Sequence, residues 1–224
     1  MKTFYQKYKH ALPLIIYMII YLAWFAYIEK RPQGAYTVIH MKIDDYIPFC
    51  ECFIVPYYLW FAYVAGAVFY CFFKNKREYY KTCVFLGVGM TVFLIVSTFF
   101  PNGQHLRPYV MPRDNIFTAL VTLIYKADTP TNIWPSIHVY NSIGAHLALM
   151  HNPEFAKNKF LHAGSWLLCV SIILSTVFLK QHSMFDVITA FLMAVIMQQI
   201  VYHMDIVGFL QGARIRRSRR VRRV

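Results

Sequence analysis

Six stretches of this chain stay apolar for 15 to 21 residues at a time, and nothing else in the sequence limits the fold so tightly. They are Ala11–Ile28, Phe53–Phe73, Thr82–Phe100, Ser136–Met150, Phe160–Leu179 and Ser183–His203. As helices rising ~1.5 Å per residue, most of them cross a hydrocarbon core about 30 Å thick. The fourth is the shortest and needs an extra turn from its flanks or a thinner bilayer. A lipid-embedded backbone must satisfy its own hydrogen bonds, which leaves helices or a closed barrel. A barrel would show alternating segments of roughly ten residues. The expectation is therefore an all-α polytopic membrane protein with six transmembrane helices in one bundle, spanning residues 1–213 and followed by a basic tail at 214–224.

Composition leaves little room for anything else. At 58% hydrophobic and 15% charged, the chain is far from the roughly 45–50% and about 25% usual for soluble domains. Its net charge of +13 would suggest nucleic acid in a soluble protein. In this one it reads as topology, and no nucleic-acid partner is expected. Of the 23 Lys and Arg residues, 16 fall on the side of the two termini and seven on the other, which predicts cytoplasmic termini. Seven arginines between Arg214 and Arg223 suit a tail lying on anionic phospholipid headgroups. The first segment lacks a small-residue cleavage pattern before Pro32 and reads as a retained signal-anchor. Three of the five cysteines lie inside apolar runs, so they do not form a disulfide scaffold.

Ionisable groups within reach of a membrane span are expensive and usually functional. Three polar clusters fall on the non-cytoplasmic side: Asn102 to Pro108 after the third segment, Asp128 to His138 opening the fourth, and Ser175 to Asp186 between the fifth and sixth. In the last, His182 and Asp186 are four residues apart and share a helix face. A carboxylate there can accept the Nδ1 proton and leave Nε2 as nucleophile or base. The same spacing also serves as a plain structural hydrogen bond. His138 follows Pro135 and Ser136, with Ser136 the candidate N-cap, so free backbone N–H groups and a positive dipole end favour an anion there. Arg107 and Lys180 add cations on the same side, the first able to fork onto two phosphoryl oxygens and the second a point charge. Snorkelling toward headgroups is the competing use of each. Metal ligation by two histidines and a carboxylate is the weaker reading, because the cations oppose it and no further ligand pair completes a set.

At these residues the sequence resembles the type 2 phosphatidic acid phosphatase superfamily, which includes lipid phosphate phosphatases, vanadium haloperoxidases and related sphingolipid synthases. That family carries Lys, six residues, Arg-Pro; then Pro-Ser-x-His; then Ser-Arg, five residues, His, three residues, Asp. Arg107-Pro108 matches the end of the first motif, Pro135-Ser136-Ile137-His138 the whole second, and His182 with Asp186 the end of the third. The sequence departs at two basic positions, with Phe100 and Thr176 where the family has Lys and Arg. Lys180 is the candidate replacement for the lost charge. The run from His182 through Ala190 is also similar to the last motif of sphingomyelin synthase-type transferases.

The resemblance implies phosphoryl transfer without metal or organic cofactor. His182 would attack phosphorus, Asp186 would orient the imidazole, and His138 would protonate the leaving oxygen. Arg107, Lys180 and the backbone around Ser136 would hold the phosphoryl oxygens. The expected protein is a multi-pass membrane phosphatase hydrolysing a lipid phosphate such as phosphatidic acid at the outer or lumenal face. The alternatives are a headgroup phosphotransferase and a non-catalytic lipid-binding or transport protein.

Overall fold

The computed structural model describes residue 6 and residues 8–31 and 34–209, and the arginine-rich tail lies outside the described residues. Helix dominates the described residues, with almost no strand. Among them, five helical stretches are long and apolar enough to cross a membrane: Lys9–Lys30, Glu51–Lys74, Lys76–Phe99, Lys159–Phe178 and Met184–His203. Within them run α1 (Leu12–Lys30), α3 (Ile54–Lys74), α4 (Lys76–Phe99), α8 (Lys159–Phe178) and α9 (Met184–Gln198), the last continuing as a π-helical turn to His203. Shorter helices are α2 (Lys42–Tyr46), α5 (Ile116–Ala127), α6 (Ile137–Met150) and α7 (Pro153–Ala156). Two-residue strands β1 (Thr37–Val38) and β2 (Asn102–Gly103) pair in parallel.

The fourth apolar segment is the centre of the bundle. Its helix α6 has only 14 residues, about 21 Å at the α-helical rise. Packed against α3, α4, α8 and α9, it meets protein where a peripheral helix would meet lipid. A small residue on each helix sets the approach of α6 to α4: a Cβ on Gly144 of α6 would lie 2.7 Å from the Phe85 ring, and one on Gly89 of α4 would overlap the Tyr140 ring. The Tyr140 hydroxyl then donates to the Phe85 carbonyl at 2.9 Å. These contacts fix the height of α6, and with it the position of His138.

Two boundaries depart from the sequence reading. The third helix begins at Lys76 rather than Thr82, because the Asn75 side chain accepts from the Arg77 and Glu78 amides and starts the helix early. The charged stretch expected as a loop is thus mostly helix, with Lys81 buried and paired to Asp205 at 3.3 Å. The second departure is α5, inside what was expected to be a polar connection between the third and fourth segments. Asn115 caps it by accepting from the Phe117 and Thr118 amides, and its residues Val121 and Ile124 pack on Ile54, Tyr57 and Leu179.

Helix α1 sits on α4 through the Tyr17 hydroxyl on the Gly87 carbonyl (2.8 Å), the Trp24 indole N–H on Thr98 (3.0 Å) and Arg31 on the Ser97 and Thr98 carbonyls. The start of α1 and the chain after α9 lie at one end of the bundle. There His10 stacks on Phe72, and Asp205 meets Arg77 and Lys81. The strand pair, α5 and the beginnings of α6 and α9 lie at the other end.

Candidate active site

The three polar clusters are brought together by hydrogen bonds between distant segments. The Asn102 side chain accepts from the Ile133 and Trp134 amides, each at 3.0 Å, and so ties the first cluster to the approach of α6. Gln104 donates to the Lys180 carbonyl at 2.9 Å and ties it to the third. Arg107 donates to the Gln181 side chain and to the Thr129 carbonyl, reaching both.

Helix α8 stops at a left-handed Lys180, with φ of 52°. The amides of Gln181 and His182 both donate back to the Thr176 carbonyl, at 2.9 and 3.0 Å. That turn sets the position of His182 just before α9. The helix is then capped by Ser183, whose own amide donates to Asp186 Oδ2 at 3.0 Å. Buried Asp44, from α2, clamps the same point: it accepts from the Ser183 hydroxyl at 2.6 Å and from the Met184 amide at 2.8 Å. On α6, Ser136 is the N-cap, accepting from the Val139 amide at 3.4 Å. Both helix starts direct their positive ends at one place.

The histidines meet there. His182 Nδ1 lies 3.3 Å from Asp186 Oδ2, and His182 Nε2 lies 3.4 Å from His138 Nδ1. With the Nδ1 proton directed to Asp186, Nε2 is an acceptor and His138 is the donor. The His138 ring is held by aromatic faces, 4.7 Å from Tyr57 and 4.4 Å from Trp60 between centroids. Both histidines open onto a cavity of about 500 Å³.

No family model, curated protein or solved structure matches the chain. The site is therefore read from its own geometry.

Three expected phosphate ligands have other partners. The Lys180 ammonium donates to the Asp44 carbonyl at 2.7 Å. Burial lowers its proton affinity, with Asp44 and Asp45 opposing. Ser136 is taken up in capping α6. Arg107 lies behind Gln181, its guanidinium 4.4 Å from the centre of the Tyr125 ring, and its Nε has no hydrogen-bond partner. Burial pulls the guanidinium below its usual pKa, against the attraction of Asp128.

Residues that sequence reasoning did not single out complete the site. Glu29 and Asp128 both line the cavity. Glu29 accepts from Thr129 and Asn132 at 2.8 and 2.9 Å, and Asp128 accepts from the Tyr57 hydroxyl at 3.2 Å. Burial pushes the Asp128 carboxyl above its ordinary range, with His182 and Arg107 pulling the other way. Asp128 stood inside a polar cluster and Glu29 at the end of an apolar run, which was the available signal for each. Asp44 had none, since its partners lie 139 and 140 residues away. His105 is exposed, its ring 5.9 Å from Tyr36. Among the described residues no group of three or more His, Cys, Asp or Glu is arranged to hold a metal ion, and all five cysteines are free.

Proposed function

We propose that the chain is an integral membrane phosphoesterase that hydrolyses a lipid phosphate through a phosphohistidine on His182. The observation that carries this reading is the relay Asp186, His182, His138 at the start of two helices and at the mouth of a largely apolar cavity. A carboxylate that fixes the imidazole tautomer and a second imidazole beside Nε2 are the parts a two-step phosphoryl transfer needs.

In the first step a phosphoryl group parts the two rings. The Nε2–P bond forms, the bond from phosphorus to the leaving oxygen breaks, and His138, entering as the imidazolium, gives that oxygen its Nδ1 proton and becomes neutral. Asp186 stabilises the charged imidazole of phosphorylated His182. Water then attacks phosphorus and passes a proton to the neutral His138, the Nε2–P bond breaks, and phosphate and free His182 are released. The free amides at the start of α6 and Arg107, acting with Gln181, stabilise the equatorial oxygens, the electrostatic work on which phosphoryl transfer mainly depends. The Lys and Arg asymmetry of the sequence supports a site at the non-cytoplasmic face.

Transfer of a phosphoryl headgroup from a diester to a lipid alcohol is the second reading. Its support is the charge of the site: Glu29 and Asp128 line the cavity while Lys180 is bonded to Asp44. A dianionic monoester asks for more positive charge than a monoanionic diester.

Product analysis separates these readings. The purified protein in mixed micelles with phosphatidic acid and EDTA, with a diacylglycerol acceptor added or withheld, is compared with His182→Ala. Free phosphate from the wild type alone supports the hydrolase. Silence with phosphatidic acid, together with His182-dependent turnover of a choline or inositol phospholipid when the acceptor is present, moves the assignment to the transferase. Activity that survives His182→Ala rejects the histidine mechanism in both.

A further inference from the structure

The cavity beside the histidines changes character along its length. At the site end its wall carries Glu29, Asp128, Gln181 and the two histidines, whereas farther into the bundle it carries Tyr21, Phe25 and Phe93 and then Met18 and Met90. Glu29 and Met18 lie on one helix, eleven residues apart, which is ~16 Å along the axis. One leaflet of a hydrocarbon core is ~15 Å deep. The cavity therefore matches a hydrocarbon chain of one leaflet in both depth and polarity.

Two buried polar groups mark where the polar part of such a ligand would sit. Asn141 and Gln181 are each 2% exposed and line the cavity, and Asn141 Oδ1 and Gln181 Nε2 have no hydrogen-bond partner. An unpartnered buried polar atom costs stability unless a ligand satisfies it. Asn141 is three residues beyond His138, nearly one helical turn deeper, and Gln181 directly precedes His182. Asn141 therefore falls between the phosphoryl centre and the apolar end, at the level of the linkage joining a phosphate to its chain, while Gln181 stays at the site end beside the phosphoryl group. The cavity also reaches the lipid side. Leu22 of α1 and Phe61 of α3 line it while being 56% and 57% exposed.

We propose that this cavity binds one hydrocarbon chain of the substrate lipid, admitted sideways from the bilayer between α1 and α3. The polar linkage lies against Asn141, Gln181 faces the phosphoryl group, and the methyl end points to Met18 and Met90. The proposal rests on the phosphoester reading for the identity of the headgroup. Methionine at the apolar end suits chains of varied length, because its flexible thioether repacks.

The test is photolabelling of the wild-type protein in phosphatidylcholine vesicles with a long-chain alkyl phosphate carrying a diazirine at its methyl end. Adducts are mapped by peptide mass spectrometry. The expected result is labelling at Met18 and Met90 that excess unlabelled alkyl phosphate suppresses. Labels confined to the outward residues Ile19, Ile20 and Ile95, or labelling that the competitor leaves unchanged, would overturn the proposal. Filling the apolar end with Met90→Trp should lower the labelling and shift the preferred chain length downward, by about tenfold in relative turnover of long over short chains. If that variant does not fold, the wild-type map still decides. Labelling needs no turnover, so specific labelling without phosphate release keeps the chain site and removes the phosphoesterase reading. Phosphate release with unsuppressed surface labelling does the reverse.

Discussion

Helix α6 carries two histidines eight residues apart, and each meets a second histidine from a neighbouring segment. His138 meets His182 with ring centroids 5.6 Å apart, and His146 meets His162 at 5.9 Å. The pairs differ in everything around them. His182 has Asp186 behind it and two helix starts beside it, and it opens on a cavity where Asn141 Oδ1 and Gln181 Nε2 have no hydrogen-bond partner. His146 is mid-helix, and its Nδ1 lies 2.9 Å from Ser165 Oγ, which lies 2.7 Å from the Tyr63 hydroxyl. That chain staples α3, α6 and α8 and uses up the polar groups it contains. A histidine pair is thus not itself a site. The carboxylate, the helix ends and the unmet hydrogen-bonding capacity distinguish the first pair from the second.

The comparison breaks most directly at the carboxylate. Asp186→Asn should keep the fold, yet remove the carboxylate charge that holds the His182 tautomer and stabilises its imidazolium, a charge that only the first pair has. Turnover is expected to fall by about 10²–10⁴, and a loss under threefold would remove the distinction. Next in size is Gly89→Ala, which forces a methyl into the Tyr140 ring and disturbs the α4–α6 contact on which both pairs depend. Thermal unfolding in detergent should show a loss of roughly 1–3 kcal/mol. An unchanged midpoint would mean that α6 is positioned by something else.

The second pair gives a smaller and different effect. His146→Gln should cost about 1 kcal/mol of stability and leave turnover within about threefold, because it touches no proposed reacting group. A large fall in turnover with a normal melt would make the two pairs functionally equivalent. Smallest is Asp128→Asn. A carboxyl held above its ordinary pKa adds stability below the unfolded value and loses it as pH rises through the folded value. The Asn variant should therefore melt slightly above wild type at neutral pH, and the gap should close as pH falls toward about 4. A gap that widens on acidification would contradict the burial argument.

Much of this contrast was legible in the chain. The spacing of His182 and Asp186 put them on one face, Pro135-Ser136 marked the start of a helix carrying His138, and five apolar runs became long helices. What escaped was whatever depended on distant partners. Arg107 and Lys180 were readable as cations near the site, but not their first partners: Gln181 and the Asp44 carbonyl come from 74 and 136 residues away. Helix α5 escaped because a mostly apolar run of twelve residues is too short for a span and lay in a stretch rich in turn residues. The early start of α4 escaped because Lys76, Arg77 and Lys81 looked like loop charges until Asn75 and Asp205 gave them a cap and a partner.

The central claim is that His182 Nε2 becomes covalently bonded to phosphorus. The most direct measurement is a rapid alkaline quench of the wild-type protein turning over a phosphorus-labelled lipid phosphate, followed by peptide mapping of the label. The account predicts an alkali-stable, acid-labile phosphoryl group on His182, absent in His182→Ala and reduced in Asp186→Asn. Efficient release of phosphate with no label on His182 at any quench time would contradict it.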